Sequence, residues 1–83
     1  MKKLVFTDQA KADLADLDRA TRLRIAAALQ RLVQNNAGNV KKLQGIDPPE
    51  YRLRTGGWRV RFSCPEPETV RVNRVLNRKD AYR

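Results

Sequence analysis

Apolar residues recur along the chain at two spacings, and the switch between them divides the sequence into elements. Leu4-Val5-Phe6 form a strand-sized apolar run within residues 3–7, and Thr7-Asp8 then offer N-cap chemistry for a helix beginning near Gln9. Ala10, Leu14 and Leu17 follow at i, i+4 and i+7, the spacing of one buried helix face, with Lys11, Asp13 and Asp16 left for solvent. Asp18 caps a second helix, predicted to run to about Gln34 with Ile25, Ala26, Leu29, Leu32 and Val33 turned inward. Asn35-Asn36-Ala37-Gly38-Asn39 ends it, because Asn and Gly accept the left-handed backbone that helix C-termini often need. Val40 to Ile46 mixes basic and apolar residues before the stiff Asp47-Pro48-Pro49, and reads as a connector.

From Glu50 onward the period is two. Tyr51 and Leu53 share one face and Arg52 and Arg54 the other, up to the hairpin signal Thr55-Gly56-Gly57. Trp58, Val60 and Phe62 then alternate with Arg59, Arg61 and Ser63. Cys64-Pro65-Glu66-Pro67-Glu68 is predicted as a second turn, with its prolines where the ladder stops and Cys64 as a small buried packing residue. Thr69 to about Leu76 forms the last strand. Val70 and Val72 share its inner face but Val75 falls out of phase, which predicts a bulge near Asn73-Arg74. The order β-α-α-β-β-β predicts one α+β domain over residues 1–83, with two antiparallel helices packed on one face of a mainly antiparallel four-stranded sheet.

Charge adds a direction to this frame. Eighteen Lys and Arg against nine Asp and Glu give +9, a field that favours an anionic partner. The apolar runs are too short for a membrane span, and Met1-Lys2-Lys3 is not followed by a signal-peptide core, so no membrane association and a cytoplasmic location are expected. A chain of 83 residues has little room for an enclosed cofactor pocket, and no cofactor is expected. Over residues 51–78 every basic residue is arginine: Arg52, Arg54, Arg59, Arg61, Arg71, Arg74 and Arg78. The choice of Arg over Lys suits bidentate phosphate contact and base stacking better than mere solubility, so the outer sheet face is read as exposed and RNA-binding. Lys79 and Arg83 extend it.

The residue inventory narrows the chemistry. There is no His for acid–base cleavage or an ordinary zinc site, and Asp8, Asp13, Asp16 and Asp18 read as surface and cap residues, so no metal is expected. Cleavage by positioning and charge fits what remains: arginines clamp a scissile phosphate while the RNA's own 2′-OH attacks. Arginine is a poor proton acceptor. Tyr82 is a candidate either to stack on a base or to assist proton transfer, and packing on a small core is its alternative.

The residues also carry a family resemblance. Thr7-Asp8-Gln9-Ala10, the leucine-bearing helices, Lys42-Leu43-Gln44-Gly45, Tyr51-Arg52-Leu53-Arg54, Gly57-Trp58-Arg59-Val60 and Val75 through Arg83 together resemble the RelE/ParE superfamily of bacterial type II toxins over nearly the whole chain. In the RelE-type branch this implies a ribosome-dependent, metal-independent mRNA endonuclease that leaves a cyclic phosphate. The resemblance places phosphate holding and transition-state charge on Arg59 and Arg78. It gives Tyr82 the orientation of a base or the 2′-OH, and Arg52 and Arg54 the shaping of the local field. Where relatives carry lysine, Arg52 and Arg54 leave the general base unassigned. The resemblance also implies an acidic cognate antitoxin that neutralises the toxin, mRNA on the ribosome as substrate, and operator DNA bound through the antitoxin complex. Two alternatives stay open: a ParE-like toxin that blocks DNA gyrase, and a non-catalytic relative that binds ribosome or nucleic acid through the basic face. Arg78 followed by Tyr82 favours the nuclease.

Overall fold

Thr7 turns the chain from its first strand into its first helix. In the computed structural model, which describes residues 3–77, β1 (Lys3–Phe6) stops at Thr7, whose Oγ1 accepts the Ala10 N–H at 3.1 Å and donates to the Asn73 carbonyl at 3.0 Å. One hydroxyl therefore caps α1 (Asp8–Ala15) and ties its start to the last strand. Asp18 caps α2 (Arg19–Asn35) by accepting the Thr21 N–H at 3.3 Å and also the Thr21 hydroxyl. Asn36 ends α2 in the left-handed region, with φ of 53°. The buried face of α2 is Ile25, Ala28, Leu29, Leu32 and Val33. Ala26, expected among them, is exposed: one residue beyond Ile25 rotates about 100° away from the core, whereas Ala28 returns to it.

The sheet has five strands rather than the expected four, in the order β1-β5-β4-β3-β2. The added one is β2 (Asn39–Lys42), which lies inside the stretch read as a connector and pairs antiparallel with β3 (Tyr51–Thr55). All four of its residues are exposed, so it shows no inside–outside alternation from which a strand could be read. The sheet continues through β4 (Trp58–Glu66) and β5 (Thr69–Asn77), which pairs antiparallel with β4 and parallel with β1. One core lies between the layers, where Leu53, Val60, Phe62, Val70, Val72 and Val75 meet Ala10, Ile25, Ala28, Leu29, Leu32 and Val33.

The expected bulge is present. Arg61 pairs with Arg74 but Phe62 pairs with Val72, so Asn73 is the extra residue that restores Val75 to the inner face. The second turn is shorter than expected. β4 runs through Pro65 to Glu66, which pairs with Thr69, and a register shift between Ser63 and Glu66 absorbs the proline's missing donor. Cys64 lies in that irregular stretch and is exposed, not buried as expected. Among the described residues no helix is long and apolar enough to cross a membrane.

Beyond the end of β1, β5 is joined to α1 by a side chain. Asp13, expected at the surface, is half-buried, and its Oδ2 accepts the Val75 N–H at 2.9 Å and Arg74 Nε at 2.9 Å. Burial is the largest single influence on this carboxyl and pushes its pKa up. Hydrogen bonds from Arg74, the Val75 N–H and Gln9, with the charge of Arg74, outweigh it and hold the group below its usual value of 3.8. A depressed carboxylate stabilises the fold above the unfolded-state pKa and loses that contribution as pH falls through the folded-state value. Asp13→Ala is therefore expected to cost about 1–3 kcal/mol at pH 7, chiefly through the unpaired Val75 N–H. Because Arg74 is 42% exposed, the ion pair adds little to this. Urea titrations should show the gap from the wild type narrowing as pH drops below 3.8.

Candidate nucleic-acid interface

The strand register stacks arginines across the sheet face opposite the helices. Arg52 lies opposite Arg61, Arg61 opposite Arg74, and Arg54 opposite Arg59. Like charges in directly opposed positions repel, and carboxylates relieve this row at two places. Glu50 Oε2 sits 2.9 Å from Arg61 Nη2, and Asp13 holds Arg74 at the sheet edge.

The face is a walled groove rather than the open surface expected. Arg52, Arg59, Arg61 and Leu76 come from the sheet, while Leu43, Gln44 and Ile46 come from the segment between β2 and β3, enclosing about 340 Å³. Leu43 is fixed at the start of that segment by its N–H, which donates to the Glu50 carbonyl at 2.9 Å. Arg59 is only 5% exposed, so it belongs to the floor of the groove. Arg52 and Arg61 are half-buried. The Nε atoms of Arg52, Arg61 and Arg71 are buried without a hydrogen-bond partner among the described residues. A guanidinium donor withdrawn from water without an acceptor is costly, and an anion in the groove would supply one to Arg52 and Arg61. Apolar Leu43, Ile46 and Leu76 lower the local polarity beside these charges, which strengthens the field they would present to an anion.

The sequence-predicted residues thus separate. Arg52, Arg59 and Arg61 converge on the groove. Arg54 is exposed on β3 outside its lining, and Arg71 lies opposite Ser63 toward the other end of the face. Arg74, expected among the RNA-binding set, has its guanidinium engaged by Asp13. Arg78, Lys79, Tyr82 and Arg83 lie outside the described residues. Sequence reasoning missed the wall residues and Glu50. Glu50 had a signal, since it is two residues before Arg52 and therefore in phase with Arg52 and Arg54. Among the described residues no three His, Cys, Asp or Glu side chains gather as a metal site.

Comparison with known proteins places this arrangement in a family. The model of the ParE toxin of the type II toxin-antitoxin system, parDE, matches residues 4–82. A chain of the RelB-RelE antitoxin-toxin complex from Methanococcus jannaschii is 26% identical, with 94% of each chain covered and a TM-score of 0.75. A chain of the RelBE2 toxin-antitoxin complex from Mycobacterium tuberculosis is 24% identical, covering 93% of this chain and 98% of that one at a TM-score of 0.77. The isolated E. coli RelE toxin is 19% identical, covering 93% of this chain and 84% of its own at a TM-score of 0.76. These last two are likenesses of fold alone. No curated protein sequence matches. With the family model spanning both helices and all five strands but for Lys3, and the same fold in RelE structures, the chain belongs to the RelE/ParE superfamily as a toxin of a type II toxin-antitoxin system.

Proposed function

We propose that this toxin is a ribosome-dependent, metal-independent mRNA endonuclease of the RelE type. The observation that carries the reading is the groove itself: three arginines converge in it, and the buried Nε donors of Arg52 and Arg61 have no acceptor among the described residues. In the proposed reaction the 2′-oxygen attacks phosphorus and the bond to the 5′-oxygen breaks, giving a 2′,3′-cyclic phosphate and a 5′-hydroxyl. The 2′-OH gives up a proton and the leaving oxygen takes one. Charge builds on the phosphoryl oxygens at the transition state, where arginines held in a partly desolvated groove are most effective. Arg59 and Arg78 take that role, Tyr82 orients the 2′-OH, and Arg52, Arg54 and Arg61 hold the flanking backbone.

Neutralisation falls to an acidic antitoxin, as the net charge of +9 favours. An apolar depression of about 220 Å³ lined by Phe6, Leu14, Leu23, Ile25 and Leu29 is rimmed by Arg22, with Leu23 58% exposed. This suits the apolar face of an acidic amphipathic helix. Such a complex would be the form that reaches operator DNA.

A second reading has an observation of its own: the family model that matches is that of ParE, which favours a DNA gyrase inhibitor. Induced expression followed by mapping of RNA 5′ ends, with a gyrase supercoiling assay in parallel, separates the two. Cuts clustered within translated codons are expected. Intact mRNA with inhibited supercoiling would replace the proposal with the second reading.

A further inference from the structure

Glu50 stands where a carboxylate would normally weaken an anion site. It is in phase with Arg52 and Arg54 at the entry to β3, and its side chain is 19% exposed. Both of its oxygens are engaged. Oε2 accepts Arg61 Nη2 at 2.9 Å, and Oε1 accepts Asn73 Nδ2 at 3.0 Å. Asn73 also donates to Ser63 Oγ at 3.2 Å. Asn73 is the bulge residue of β5, so the extra residue that restores the core phase also anchors Glu50 across the face.

The clamp has two physical consequences. Arg61 lies directly opposite Arg52, and a carboxylate on one of its terminal nitrogens offsets their repulsion and limits the directions that guanidinium can take. Its Nε stays buried without a partner among the described residues while the side chain lines the groove. The carboxylate also cancels one positive charge, so phosphate affinity is carried more by the other arginines of the groove. A residue that only promoted RNA binding would not be acidic.

We propose that Glu50, anchored by Asn73, is a positioning residue that aims Arg61 into the groove while muting its charge, so that RNA is held in a cleavable alignment rather than merely held tightly. This rests on the nuclease reading, and it makes binding and turnover move in opposite directions. In Glu50→Gln one of the two accepting oxygens becomes an NH2 group that faces a donor, so one of the two contacts is broken and a negative charge is lost. Affinity for a short single-stranded RNA oligonucleotide is expected to rise about threefold at low salt. The slope of log affinity against log salt should steepen by about 0.7, the value for one further phosphate neutralised on single-stranded nucleic acid. Turnover of ribosome-bound mRNA at saturating protein should fall about tenfold, because misalignment alone can cost that much or more. Asn73→Ala keeps the charge but removes the anchor. It is expected to lower turnover with the salt slope unchanged.

Thermal unfolding of each variant reads the fold separately. Opposed changes in binding and turnover for Glu50→Gln support the assignment. An unchanged slope with unchanged turnover overturns it, as does a parallel loss of binding and turnover that tracks the unfolding midpoint. If the wild type cuts no mRNA on ribosomes, the nuclease reading fails, and the salt slope still decides whether Glu50 mutes Arg61.

Discussion

Arg59→Ala is expected to lower mRNA cleavage on ribosomes by about 10²–10³-fold, the loss that follows removal of one preorganised transition-state donor, about 3–4 kcal/mol. Arg59 is buried to 5% exposure on the central strand β4, lying between Arg54 on one neighbour and Leu76 on the other. A guanidinium held there on regular strand backbone needs little reorganisation when charge develops on a phosphoryl oxygen. Arg59→Lys keeps the charge but not the planar fork, so an intermediate loss is expected. Single-turnover cleavage of ribosome-bound mRNA checks this, with circular dichroism and an unfolding curve as controls for the fold. Wild-type turnover in a folded Arg59→Ala protein would remove Arg59 from the mechanism.

Gly38→Ala is expected to destabilise the fold by about 2–4 kcal/mol, combining backbone strain with overpacking of the core. Gly38 precedes β2 with φ of 139°, a conformation that L side chains rarely adopt. A Cβ there would lie 2.7 Å from Leu53 Cδ1. Leu53 is only 1% exposed, so its methyl has little room to retreat. For a domain of this size the loss corresponds to a fall of roughly 10–20 °C in Tm. The same strand carries Arg52, so β3 links this packing to the groove. Calorimetry or a urea titration measures the effect, and a midpoint within about 2 °C of the wild type would show that the turn accommodates a side chain.

Different parts of the molecule were legible to different degrees. The helices and the β3–β4 hairpin were readable because each buries a face at a fixed period, and the bulge at Asn73 could be placed because Val70, Val72 and Val75 break that period once. β2 was hidden for the opposite reason. Its four residues are all exposed, and its pairing with β3 is a backbone event that leaves no mark on side-chain polarity. The arginine face was legible as a charge pattern, but three dimensions divided it. Asp13 engages Arg74 from α1, 61 residues away in sequence, and no local spacing encodes that contact. The groove wall was missed because Leu43, Gln44 and Ile46 belong to a segment with no periodicity, and only its return over the sheet puts them beside Arg52 and Arg61.

An arginine groove that cuts mRNA differs in its products from one that only binds an anion or a protein. The most direct measurement of this difference is 5′-end mapping of a defined mRNA on purified translating ribosomes, with wild-type toxin and Arg59→Ala in parallel. Breaks within ribosome-bound codons, bearing 5′-hydroxyl ends, are expected for the wild type, with a near-complete loss of them for the variant. Uncut mRNA at saturating, folded wild-type toxin would contradict the nuclease reading.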